Sequence, residues 1–277
     1  MTEPLASSPA ARRWSGLGVA LIAFVVLLPF LWLVVMSFKT PEDIFAGAAK
    51  LFFVPTIENY RVLLSSEFMR SFLNSAVAST VSTGLAMLIG VPGAYALARA
   101  PRGKSRWISM LILLSRMLPP IAFTIPYFLL YRRVGLLDTL PGLIIIYLTF
   151  NLSLVVWLMR GFFEGIPKAL EEAAWIDGAS LFETFRIIVL PLCGPALVTT
   201  AILCFLYSWN DFFFALILTR SEAETAPIQV VNFMNYEGWE WGKIAAGGTL
   251  IMLPVLGFSL LMRKYLVSGM TAGAVKQ

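Results

Sequence analysis

The sequence predicts an all-α integral membrane protein with six transmembrane helices. Three observations carry that prediction. Of 277 residues, 58% are hydrophobic and only 13% charged, with a mean hydropathy of +0.81; soluble domains hold about 45–50% apolar and about 25% charged residues. Six apolar stretches, each about 18 to 27 residues long, alternate with polar loops, and about 20 apolar residues span the hydrocarbon core. Lys and Arg are densest in every second loop, which fixes an orientation.

Residues 1–16 form a polar N-terminal tail that includes Arg12 and Arg13. The first span, about Leu17–Phe38, is too long for a signal-peptide core, and no small-residue cleavage site directly follows it. Pro29 predicts a modest kink within it. Residues 39–70 form a loop of mixed charge. The second span, about Phe72–Ala98, sets Gly90, Ala94 and Ala98 at small-xxx-small spacing, which lets helix backbones approach closely. Arg99, Arg102, Lys104 and Arg106 then follow with no acid among them. The third span, about Trp107–Tyr131, contains Arg116, Pro119, Pro120 and Pro126. Arg132, Arg133 and Asp138 make a short turn before the fourth span, about Thr139–Met159, which carries Asn151 and Ser153. A polar stretch, residues 160–191, leads to the fifth span, about Leu192–Leu218, which ends near Ser208-Trp209-Asn210-Asp211. Residues 219–243 form an aromatic, acidic loop. The sixth span is about Ile244–Leu261, and residues 267–277 form a C-terminal tail.

Charge counting orients this set. With both termini cytoplasmic, the inner segments hold twelve Lys and Arg, and the outer loops hold eight, diluted by nine acids. The net charge of +5 therefore reads as basic cytoplasmic loops and not as nucleic-acid binding. The polar stretch 160–191 falls on the cytoplasmic side.

Several chemistries are absent. There is no His, so the commonest metal ligand and general base is missing. Cys193 and Cys204 lie about 16 Å apart along one helix, too far to bridge. No Cys/His dyad, zinc cluster or Ser-His-Asp set is expected, and no metal. Arg102-Gly103-Lys104-Ser105 mimics the end of a phosphate-binding loop, but Ala98 stands where the required glycine belongs and no strand precedes it. No nucleotide site is expected on this chain, and 277 residues leave no room for an added catalytic domain.

The polar stretch reads as two short helices around a turn. Pro167 suits a first helical position, and Glu171 and Glu172 follow near the positive end of the dipole. Gly178 can take the positive φ that ends a helix. Ser180 and Glu183 have capping-box spacing. Leu181, Phe182, Phe185, Ile188 and Val189 form one apolar stripe, and Pro191 is expected to stop the second helix.

Glu172-Ala173-Ala174, then Gly178 after three residues, Ile188 after nine more, and Leu190-Pro191 resemble the EAA loop of permease subunits of binding-protein-dependent ABC importers. Asp177-Gly178-Ala179 resembles the maltose-type sugar branch. The tail Gly269-x-Thr271-x-Gly273-x-x-Lys276 is similar to the end of that subunit. The resemblance implies a six-helix permease domain over residues 17–266 in a bacterial or archaeal plasma membrane. It implies that Glu171, Glu172, Ala173, Ala174, Asp177, Gly178, Ala179, Ile188, Leu190 and Pro191 form a cytoplasmic coupling loop between helices 4 and 5. It also implies that Gly269, Thr271, Gly273 and Lys276 contact an ATPase. The implied partners are a homologous second permease, an ABC ATPase dimer that uses ATP and Mg, and an extracytoplasmic solute-binding protein. This chain itself would be no enzyme and would bind no cofactor.

Polar groups inside spans cost about 2.5–3.5 kcal/mol when charged and so face a bundle interior or water. Arg116 admits two readings, an interhelical ion pair or a lining of the translocation path. Asn210 and Asp211 read as path or outer-gate lining, because Trp-Asn-Asp resembles the sugar-permease pattern. Asn151 reads more readily as an interhelical hydrogen bonder. The solute implied is a sugar, oligosaccharide or polyol, with glycerol-phosphate or another solute as the alternative. A secondary transporter would need an internal repeat and a mid-membrane carboxylate, neither of which is evident. A membrane scaffold would need no polar path.

Overall fold

A computed structural model describes residues 9–46, 50, 52–117, 119–235 and 238–274. The chain divides into two compact units, residues 1–66 with 230–250, and residues 67–229 with 251–277.

The first unit is built on α1 (Pro9–Ser37), α2 (Pro41–Phe45) and α3 (Glu58–Leu64). Helix α1 starts at Pro9, so Arg12 and Arg13 belong to the helix and not to an extended tail. Its apolar side chains from Leu17 to Leu31 are exposed, as lipid-facing side chains must be. Thr40 caps α2, accepting from the Asp43 N–H at 3.3 Å. Asn59 on α3 donates to the carbonyls of Ser37 and Lys39 at 2.9 and 3.0 Å, tying α3 to the end of α1. A two-residue antiparallel ladder, β1 (Met234–Asn235) with β2 (Gly238–Trp239), closes this unit's loop. It is a small exception to the all-α expectation.

The second unit centres on α4 (Glu67–Arg99), α7 (Leu140–Glu164) and α11 (Gly194–Trp209), which pack together. At Gly90 α4 closely approaches α7: a Cβ there would lie 2.8 Å from Val155 Cγ1. The small-residue spacing of α4 thus has the packing role read from sequence. Asn151 is fully buried and donates to Ser208 Oγ at 2.8 Å and Ser82 Oγ at 3.4 Å, joining all three helices. Trp209 donates to the Ile251 carbonyl of α14 (Trp241–Ala274) at 3.0 Å.

Among the described residues, four helices are long and apolar enough to cross a membrane: Leu17–Ser37, Glu67–Arg99, Leu140–Glu164 and Trp241–Met262. The expected third and fifth spans are broken. Helix α5 (Arg102–Met117) and the turn Pro120–Phe123 with α6 (Thr124–Arg133) meet at 90°. Pro119 and Pro120 account for this, since proline removes an N–H and disfavours helical φ/ψ in the residue before it. Near the fifth span, Leu181–Leu192 and α11 meet at 78°. The break falls at Cys193, before Gly194-Pro195, and not at Pro191, which lies inside the turn Leu190–Leu192 as α10. The expected run to Leu218 breaks again after Trp209, and α12 (Phe213–Leu218) restarts it. The phosphate-loop mimic Arg102–Ser105 is the first turn of α5.

Candidate functional site

The polar hairpin begins one residue past Pro167, which caps α8 (Lys168–Ile176) and accepts from the Leu170 N–H. Helix α8 ends in a Schellman motif. The Gly178 N–H donates to the Trp175 carbonyl at 3.1 Å, and the Ala179 N–H donates to Ala174 at 2.9 Å. Gly178 has φ +89°, a conformation that only glycine adopts at low cost. Ser180 then starts α9 (Leu181–Glu183) with the expected capping box: its amide donates to Glu183 Oε2 at 2.8 Å, and its hydroxyl accepts from the Glu183 N–H at 3.3 Å.

From there the helix differs from expectation. Thr184–Val189 forms a π-helical turn between α9 and α10. The wider turn re-phases the side chains. Thr184 and Val189 are fully buried with Phe185 and Ile188 partly so, whereas Leu181 and Phe182 are each 68% exposed. The single apolar stripe is therefore split into an inner and an outer set. Val189 joins a core cluster with Val155, Met159, Phe163 and Ala94.

An ion pair anchors the hairpin. Glu171 is 1% exposed, although it is a carboxylate on a short amphipathic helix. Its Oε1 accepts from Arg99 Nε at 2.8 Å and from a terminal Arg99 nitrogen, and its Oε2 accepts from Tyr95 OH at 2.8 Å. Arg99 also donates to the carbonyls of Phe163 at 2.9 Å and Ile166 at 3.3 Å. One guanidinium thus joins the end of α4, the orphan carbonyls at the end of α7 and the first turn of α8. Tyr95, Phe163 and Phe185 pack around it as aromatic neighbours. A charge buried this way holds only with its partner. Arg99 reads in sequence as one of four loop cations, and nothing in its spacing marks it as the one that turns inward.

The residues of the resemblance divide by direction. Glu172, Ala173, Trp175, Ile176, Asp177 and Gly178 are exposed, Ala174 is buried, and Ala179, Ile188 and Leu190 are partly buried. Pro191 is exposed at the bend. Gly269, Thr271 and Gly273 fall in the last turns of α14, while Lys276 lies outside the described residues.

The four candidate path residues take different partners. The Arg116 guanidinium lies 5.3 Å from the Tyr207 ring and has no carboxylate partner among the described residues, so the interhelical ion pair is absent. Asp211 accepts from Tyr147 OH at 3.0 Å and from the Ala215 N–H at 3.1 Å, capping α12. Asn210 is exposed and donates to the Leu206 carbonyl at 2.8 Å. Asn151 has the interhelical role described above.

Sequence reading passed over Asp138. It has φ +55°, and its carboxylate accepts from the N–H groups of Arg220, Ser221, Glu222 and Ala223 at 2.8–3.2 Å. Burial opposes its charge, but these four donors outweigh that and hold its pKa at about 2. Asn74 reinforces the same loop by donating to the Glu222 and Glu224 carbonyls, both at 3.0 Å.

Residues 84–271 match the model of the binding-protein-dependent transport system inner membrane component. The chain belongs to that family. The permease is 38% identical to the trehalose transport system permease protein of Mycobacterium tuberculosis over 273 residues, 96% of this chain and 98% of that one. It is 34% identical to the trehalose/maltose transport system permease protein of Thermococcus litoralis over 265 residues, 94% and 95% of the two chains. Its fold superposes with a TM-score of 0.77, at 26% identity, on a chain of a bacterial ABC transporter involved in import of the acidic polysaccharide alginate, covering 96% and 99%. The permease is a translocating subunit, and ATP hydrolysis belongs to a separate partner.

Proposed function

We propose that this permease carries a sugar, oligosaccharide or polyol, delivered by an extracytoplasmic binding protein, through a path shared with a homologous second permease. The fold is read as six spans, the two bent pairs counting as one span each, with both termini cytoplasmic. Its hairpin docks on an ABC ATPase dimer. Trehalose and maltose transport by its relatives supports the solute class. The observation that carries the coupling role is the two-sidedness of the hairpin. Glu171 is locked inward on Arg99, while Ile176, Leu181 and Phe182 are all exposed, Ile176 at 86%. Large apolar side chains left uncovered on a polar, capped element mark an interaction surface. The inner side passes motion to α4 and α7, and the outer side receives it from the ATPase. For ATP to drive the cycle, its bound state must hold the hairpin differently from its free state.

Co-purification with the ATPase tests this. The wild-type permease should retain the ATPase, and Ile176→Glu with Leu181→Glu should lose it while remaining in the membrane. Solute uptake by the permease alone, or full ATPase retention by the double variant, would overturn the reading.

A further inference from the structure

The permease has a second built feature where α4, α5, α7 and the start of the hairpin meet. A cleft of about 1020 Å³ is lined there by Arg99, Arg106, Arg160, Lys168, Ser105 and Glu164. Two of its four cations are already matched. Arg99 is held by Glu171, and Arg160 Nε donates to Glu164 at 2.8 Å. Arg106 and Lys168 have no carboxylate partner among the described residues. The cleft therefore carries uncompensated positive charge.

A second hollow of about 560 Å³ runs along the exposed face of α7, lined by Trp157, Leu158, Gly161 and Phe162. Arg160 and Glu164 line both spaces, so the apolar face of α7 borders the basic cleft. Trp157 is 54% and Phe162 48% exposed. Trp157 lies seven residues before the helix end at Glu164, about 10 Å along the axis. Tryptophan is enriched at membrane–water interfaces. An exposed apolar face that borders unpaired cations matches one amphiphile in polarity and charge.

We propose that this composite site binds one anionic phospholipid, with its phosphodiester between Arg106 and Lys168 and an acyl chain along the Trp157–Phe162 groove. A free phosphate would occupy the cleft and ignore the groove.

The test uses the full permease in mild detergent with equimolar phosphatidylglycerol and phosphatidylcholine, read by native mass spectrometry. The wild type should retain phosphatidylglycerol with a preference on the order of tenfold, from two cations near one phosphate. Arg106→Glu with Lys168→Glu should remove the preference, as should the milder Arg106→Gln with Lys168→Gln. Gly161→Phe should lower retention of both lipids, since a Cβ at Gly161 meets nothing within 4 Å and the ring has room to fill the groove. Arg132→Glu with Arg133→Glu, in the turn before α7, should leave the preference intact. Equal retention of the two lipids by the wild type would overturn the proposal. So would displacement by millimolar inorganic phosphate with no effect of Gly161→Phe, which defines a free-anion site. Loss of the lipid on assembly of the full transporter would also overturn it, and would make the groove a protein interface.

Discussion

Replacing Glu171 by alanine removes the carboxylate that accepts two Arg99 hydrogen bonds and one from Tyr95. Arg99 keeps the Phe163 and Ile166 carbonyls but loses its counter-charge at 16% side-chain exposure. Breaking a buried pair costs about 3–5 kcal/mol. The surviving carbonyl acceptors and the partial exposure of Arg99 put this case at the low end, about 3 kcal/mol. At about 1.4 kcal/mol per tenfold, the hairpin's attachment to α4 and α7 should weaken by about a hundredfold. The hairpin's own fold should survive, because the Schellman turn and the capping box are local. The expected result is a complex that assembles and hydrolyses ATP but transports little, with faster amide exchange at residues 168–190 than in the wild type. Glu171→Gln should fall between the two, since it keeps acceptor capacity and loses charge. Reconstituted complexes measured for uptake and ATP hydrolysis, with hydrogen exchange on the same samples, provide the assay. Wild-type uptake per ATP together with unchanged exchange in Glu171→Ala would refute the reasoning.

Gly178→Pro should abolish transport while the spans still insert, because it removes the N–H given to Trp175 and forbids φ +89°; membrane fractionation with an uptake assay checks both halves. Charge reversal at Glu172, which is exposed, should weaken ATPase retention without lowering the melting temperature in detergent. Gly90→Ala should lower that melting temperature at a cost of about 1–3 kcal/mol, since its Cβ would lie 2.8 Å from Val155 Cγ1. Asp138 has a folded pKa of about 2, below its unfolded value of about 3.9. Its contribution is therefore complete above about pH 4 and is lost as pH falls towards 2. Asp138→Asn should flatten the acid side of the melting-temperature profile between those values, by about 1 kcal/mol after allowance for solvent screening.

The sequence alone determined the membrane character, the placement of the long helices, the turn at Gly178, the capping box and the close approach at Gly90. Each depends on the composition or spacing of residues near one another in the chain, where propensity, capping and apolar length act directly. Only the tertiary structure decided that Glu171 turns inward while Glu172 faces out. Adjacent carboxylates on one helix are equivalent until a guanidinium 72 positions earlier reaches one of them. The four donors around Asp138 come from more than 80 positions later, and the π-turn that exposes Leu181 and Phe182 follows from packing Val189 into the core. These features are long-range pairings, and their energy exists only once the distant partner has arrived.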